Sequence, residues 1–278
     1  MRILFCGDVV GKPGRDVLHR ELPRLRKQLE ADFVIVNGEN AAGGFGITEK
    51  ICQGFFEAGA DVATGGNHMW DQREALSFIE REPRLVRPVN YPAGTPGRGA
   101  AVFPATRGRK VLVASVMGRL FMDPLDDPFA RIDQVLARYR LGATVDAIVV
   151  DVHAEATSEK MAMGHHLDGR VSLAVGTHTH VPTADHMILT GGTAYLSDVG
   201  MCGAYDSVIG MDKKVPLERF TRKLPTERLS VADGEGTLCA VLVETEDGSG
   251  LARSIEPVRV GGKLAEALPH GARQRAAP

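Results

Sequence analysis

Seven side chains able to hold metal ions follow short apolar runs in this chain of 278 residues. Asp8 follows residues 2–6, Glu39 and Asn40 follow 33–37, Asn67 follows 61–64, His153 follows 147–150, and His178 and His180 follow 171–175. A run rich in β-branched residues that stops on glycine and a polar group predicts a buried strand with that group at its C-terminal end. In an open α/β sheet, such ends gather ligands from loops remote in sequence. The donor types then point to the chemistry. A carboxylate such as Glu39 offers two oxygens and can bridge two cations about 3.5 to 4 Å apart. Imidazole with carboxylate suits iron, manganese or zinc, and Asn40 and Asn67 add carbonyl oxygen without adding charge. His178 and His180, two apart on an extended segment, project to the same side.

The elements that must position these groups begin with a βαβ unit. It comprises a strand at 2–6, a helix with Leu18, Leu22, Leu25 and Leu29 on one face, and a strand at 33–37. Residues 41–46 hold three glycines and predict a loop of unusual dihedrals. Thr48 is expected to cap a helix carrying Ile51, Phe55 and Phe56, and Asp71 to cap another reaching about residue 80. After a Pro/Gly-rich loop at 87–99, strands near 101–105 and 110–116 form a hairpin. Ile132, Val135, Leu136 and Tyr139 mark an amphipathic helix, and Ser158 is expected to cap a helix around 160–166. Short strands at 187–189 and 193–196, a polar loop at 197–210, and strands at 237–244 and 251–260 complete the chain. A βαβ-rich first half and a strand-rich second half call for two packed sheets flanked by helices. The length suits one domain, expected over 1–262, with a flexible tail at 263–278.

The formal charge of −2, with no long block of one sign, leaves no footprint for duplex nucleic acid, though a local site for a short oligonucleotide remains compatible. No apolar run reaches transmembrane length. Cys6, Cys52, Cys202 and Cys239 are widely spaced and read as reduced core residues. With no signal-peptide pattern after Met1, the expected location is the cytoplasm.

The order Gly7-Asp8, Gly38-Glu39-Asn40, Gly66-Asn67-His68-Met69, His153 and Gly176-Thr177-His178-Thr179-His180 resembles the calcineurin-like metallophosphoesterases. Within them it is most similar to the YmdB-like cyclic-nucleotide phosphodiesterases, over roughly residues 1–260. The wider superfamily has a histidine two residues after the first aspartate and an aspartate at the bridging position, where this chain has Val10 and Glu39. Asn40 matches the YmdB-like pattern. The resemblance implies an α/β fold, a four-layer α-β-β-α sandwich of two mixed sheets flanked by helices. It implies one metal on Asp8, Glu39, Asn40 and His180, and a second on Glu39, Asn67, His153 and His178. The implied cofactor is two divalent or mixed-valence ions per chain, iron first, with manganese or zinc as substitutes. His68 corresponds to the family's catalytic histidine. The implied substrates are 2',3'-cyclic nucleotides or related phosphodiesters, including RNA ends. A homo-oligomer and a regulatory protein partner in RNA decay belong to the same implication. A metal-activated hydroxide would attack phosphorus, and His68 would supply the leaving-group proton, its own partner unidentified.

For substrate contacts, the polar loop residues Arg119, Lys160, Tyr205 and Asp206 are the candidates, with Arg119 and Lys160 reading equally well as surface charges. Asp185 or Asp198 is a candidate support behind the ligands. His19, His165, His166 and His186 receive no role. Two alternatives stay open. One is a phosphomonoesterase, nucleotidase or phosphoprotein phosphatase, on the same metals. The other is a metal-stabilised regulatory protein acting by contact, for which Val10 is the main support.

Overall fold

Apolar residues along the central strands point alternately to two sides, and the computed structural model, which describes residues 1–270, packs each side into its own core. In chain order the elements are β1 (Arg2–Cys6), β2 (Asp8–Val9), α1 (Gly11–Gln28), β3 (Phe33–Asn37), α2 (Glu49–Glu57), β4 (Val62–Thr64), α3 (Ala75–Phe78) and β5 (Leu85–Val86). Then come β6 (Ala100–Pro104), β7 (Lys110–Met117), α4 (Pro128–Leu136), β8 (Ala147–His153), α5 (Thr157–Leu167), β9 (Leu173–Thr177), β10 (Met187–Ile188) and β11 (Ala194–Leu196). The last are β12 (Met201–Cys202), α6 (Lys214–Arg222), β13 (Leu238–Thr245) and β14 (Ala252–Val260).

One six-stranded sheet has the order β14-β13-β1-β3-β4-β5, the other β10-β11-β9-β8-β7-β6. Each is parallel at its centre and carries antiparallel strands at the margin, β13 and β14 in the first, β6 and β10 in the second. Ile3, Phe5, Phe33 and Ile35 meet Val113, Val149 and Leu173 between the sheets. Leu4 and Val34 face the other way, onto Leu18, Leu22 and Leu25 of α1 and Phe55 of α2. On the far side of the second sheet, Leu112, Ile148 and Val150 pack against Ile132 of α4 and Met163 and Leu167 of α5. The layers are therefore helix, sheet, sheet, helix, as expected. Each fully buried leucine, isoleucine or phenylalanine contributes about 1.5–3 kcal/mol, and this packing fixes the parallel strand ends that carry the polar groups. No helix among the described residues is long and apolar enough to cross a membrane.

Several local expectations change. Thr48 does cap α2, accepting from the Ile51 amide at 3.3 Å. Asp71 caps nothing: the helix expected from it shortens to α3, whose N-cap is Glu74. Ser158 lies inside α5, which starts at Thr157 after an Ala156 N-cap that makes no side-chain bond. Helix α6 was unforeseen within a polar stretch. The expected tail is anchored in its first part, since Ala267 exchanges both backbone hydrogen bonds with Arg259 and Leu268 packs on the α1 core. The rest of that tail, 271–278, lies outside the described residues.

Candidate metal centre

Parallel pairing brings the seven candidate ligands to one edge. Asp8 follows β1, Glu39 and Asn40 follow β3, Asn67 follows β4, His153 closes β8, and His178 and His180 follow β9. Around His153 Nε2 lie Asn67 Oδ1 at 2.8 Å, Glu39 Oε1 at 3.1 Å and His178 Nδ1 at 3.2 Å. Glu39, His153 and His178 each offer a ligand atom, all within 4.8 Å of one another. On the other side His180 Nε2 sits 3.3 Å from Asn40 Oδ1, and the His178 amide donates to Asp8 Oδ2 at 3.2 Å. Gly66 makes this crowding feasible, because a Cβ there would overlap both the His153 ring and Glu39 Oε2. His178 and His180 both take positive φ, 98° and 66°, a conformation rare for side-chain-bearing residues and held here by their neighbours.

The donor set fits cations. Asp8 Oδ1 and Glu39 Oε1 are buried with no hydrogen-bond partner among the described residues, a costly state unless charge is supplied from elsewhere. The 3.1 Å approach of Glu39 Oε1 to His153 Nε2 is then a meeting of two lone pairs whenever the imidazole proton sits on Nδ1. Burial raises the Asp8 carboxyl to about 6, against the lowering pull of His180 and His153. Burial also pushes Glu39 up, but the charge and contact of His153, with help from His68, outweigh it and bring Glu39 to about 2. His153 is lowered by burial and raised more by Glu39, Asp8 and Asp151, to about 9. Burial and the charge of His153 lower His178 to about 3. For Glu39 and His153 the attraction between buried carboxylate and imidazole outweighs burial, so the carboxylates demand positive charge beside His153, which a proton or a metal ion would satisfy; for Asp8 and His178 burial is the larger cause.

A cavity of about 410 Å³ opens over this cluster. Glu39, Asn40, His68, Glu155, His178 and His180 line it, and Phe45, Ile209, Met211 and Leu229 supply apolar surface. His68 is fixed from three directions. Its amide donates to Glu39 Oε2 at 3.1 Å, its Nδ1 lies 2.7 Å from Asp71 Oδ2, and its ring meets Phe45 edge-on with centroids 5.1 Å apart.

None of the four substrate candidates lines this cavity. Lys160 is not a surface charge: it is 2 % exposed and bonds Asp198 Oδ2 at 2.7 Å. Asp198 in turn accepts from the Thr179 amide and hydroxyl, so the pair braces the segment between His178 and His180. The Tyr205 hydroxyl is spent on backbone, within 3.1 Å of His180 O and 2.9 Å of the Met201 amide. Arg119 is paired with Asp127 and Asp206 with Lys213, both in solvent. Asp185 accepts from Ser197, leaving Asp198 as the supporting carboxylate. Sequence reasoning missed Asp71, Glu155, whose Oε2 lies 3.1 Å from His178 Nε2, and Ile209, whose carbonyl lies 2.8 Å from His180 Nδ1. Spacing of Asp71 from His68 was the available signal; Ile209 carried none.

The profile of a family described as YmdB-like protein matches residues 4–258. A Bacillus subtilis (strain 168) protein named 2',3'-cyclic-nucleotide 2'-phosphodiesterase is 48 % identical over 260 residues, 94 % of this chain and 97 % of that one. The crystal structure of a hypothetical protein from Thermus thermophilus superposes with a TM-score of 0.88 at 44 % identity, covering 95 % of this chain and all of the other. A structure described as a novel phosphatase from Mycoplasma pneumoniae gives 0.87 at 33 % identity, covering 99 % and 96 %.

Proposed function

The chain belongs to the YmdB-like family, and from that premise we propose that it is a metal-dependent phosphodiesterase acting on 2',3'-cyclic nucleotides or on the same group at RNA ends. The observation that carries the reading is the mixed lining of the cavity, which combines carboxylate, carboxamide and imidazole donors with an apolar surface of Phe45, Ile209, Met211 and Leu229. A nucleotide has that same division, a charged phosphodiester and a flat base. In this reading Asp8, Glu39, Asn40 and His180 hold one cation and Glu39, Asn67, His153 and His178 the other, iron first, with manganese or zinc able to replace it. When bound, the cations supply positive charge to the phosphoryl oxygens and make water acidic enough to attack near neutral pH.

The chain's own part is positioning and proton delivery. The apolar surface holds the base, so that the phosphodiester faces the donor cluster. Asp71 engages Nδ1 of His68, leaving Nε2 to face the leaving group. As the attacking oxygen bonds phosphorus, the P–O bond to one ribose oxygen breaks, and the His68 Nε2 proton passes to that oxygen. The product is a nucleoside monophosphate. The same proposal has the protein act in the cytoplasm, a reading supported by four cysteines that are all free and buried. Self-association and a protein partner in RNA decay are part of the same proposal.

The description of the Mycoplasma pneumoniae relative as a phosphatase favours a second reading, hydrolysis of monoesters at the same centre. Turnover of 2',3'-cyclic AMP, 3',5'-cyclic AMP, 5'-AMP and a phosphopeptide with Mn²⁺ separates the two. Fastest turnover is expected on 2',3'-cyclic AMP, and faster turnover of either monoester rejects the diesterase assignment.

A further inference from the structure

Beneath the donor cluster lies a fully buried carboxylate that touches no candidate ligand directly. Asp151 sits two residues before His153 on β8, in a β8/β9 register that sets His153 opposite Thr177. Its Oδ1 accepts from the Thr177 hydroxyl at 2.7 Å, and Thr177 Oγ1 lies 2.8 Å from His153 Nδ1. Its Oδ2 accepts from Asn37 Nδ2 at 3.1 Å and from the Thr64 hydroxyl at 2.6 Å. Asn37 and Thr64 end β3 and β4, so these two bonds cross from one sheet to the other. Asn37 Oδ1 then accepts the Glu39 amide at 3.2 Å.

We propose that Asp151 is a positioning residue that prepares the metal centre from below, setting the tautomer of His153 through Thr177 and the placement of Glu39 through Asn37. A carboxylate only accepts, so each neighbour must donate to it. The Thr177 hydroxyl has one hydrogen and directs it at Asp151. Its oxygen is left to accept, and the atom facing it, His153 Nδ1, carries the ring proton. His153 Nε2 then presents a lone pair toward Asn67, Glu39 and His178. If the hydroxyl hydrogen turned to Nδ1 instead, the ring proton would move to Nε2 and occupy the place of the cation. The same carboxylate holds Asn37 with its oxygen toward Glu39. One buried charge thus orients donors from both sheets, and this account rests on the metal-centre reading above.

The test measures Mn²⁺ affinity by isothermal titration calorimetry on the full-length protein, with thermal unfolding in EDTA as the control. Thr177→Val keeps the size and removes the acceptor, and is expected to weaken Mn²⁺ binding about 10- to 100-fold, as loss of an outer partner does elsewhere. Thr177→Ser restores the hydroxyl and is expected to bind within about threefold of wild type. Asp151→Asn turns an amide N–H toward either Thr177 or Asn37, reverses the donor order, and is expected to lose affinity as Thr177→Val does. A valine variant that binds like wild type overturns the inference. So does a serine variant that binds as weakly as valine, or, should the valine variant not fold, an Asp151→Asn protein of normal affinity. A wild-type protein that binds no Mn²⁺ overturns the metal-centre reading itself, which separates the two failures.

Discussion

Asp71 Oδ2 lies 2.7 Å from Nδ1 of His68, three residues earlier, at the rim of the cavity. In the proposed mechanism the pair sets which ring nitrogen faces substrate, since a proton held on Nδ1 by the carboxylate leaves Nε2 as the working atom. His68→Ala is expected to lower kcat by about 100- to 10,000-fold while Mn²⁺ content stays at the wild-type level. Asp71→Ala keeps the ring and frees it, so its kcat is expected between the two with KM little changed. Equal kcat for Asp71→Ala and wild type would remove Asp71 from the mechanism.

Among the described residues, Glu39 is the one carboxylate in contact with both His153 and the His68 amide. Glu39→Gln keeps the shape, halves the oxygen donors and removes the charge. Mn²⁺ stoichiometry by metal analysis is expected to fall from two ions per chain to one or fewer, with diesterase activity lost in proportion. Two tightly held ions in the variant would show that Glu39 bridges nothing.

Ile209 adopts φ 49°, an outlier for a β-branched residue, while its carbonyl faces His180 and its half-exposed side chain lines the cavity. Ile209→Gly relieves about 1–2 kcal/mol of backbone strain and removes a contact worth about 1 kcal/mol to a bound base. KM for 2',3'-cyclic AMP is expected to rise about fivefold, with no loss of thermal stability. An unchanged KM would separate the apolar surface from base binding.

Lys160 and Asp198 are 2 % and 1 % exposed and pair at 2.7 Å. Lys160→Met strands a buried carboxylate beneath Thr179, and denaturant unfolding is expected to register a loss of about 3 kcal/mol. A change below about 0.5 kcal/mol, the range of an ordinary surface substitution, would contradict the bracing role.

Burial pushes the thiols of Cys6 and Cys239 up to about 12 and also raises those of Cys52 and Cys202 well above the ordinary thiol range. Because the thiolate is the reactive form, the native protein is expected to ignore a disulfide reagent at pH 8 and to consume four equivalents once unfolded. Fast labelling of the native state would place a cysteine at the surface.

Much of the architecture is legible because strands announce themselves locally. The runs at 2–6, 33–37 and 171–175 are apolar and β-branched, their ends are polar, and alternation such as Ile3 and Phe5 against Leu4 and Cys6 already divides the side chains between two cores. That logic also places all seven candidate ligands at one edge. It fails where a residue's role depends on a partner remote in sequence. Lys160 looks like any helix lysine until Asp198, thirty-eight residues later, is packed over it. Asp151 looks like a strand end until Asn37 and Thr64 arrive from the opposite sheet. Asp71 reads as a helix cap because capping is its common local use, and only the fold turns it toward His68. Strand identity and ligand type are set by short-range pattern and side-chain chemistry, which a sequence carries in full. Which buried group donates to which is set by contact between the two sheets, and that exists only once the chain has folded.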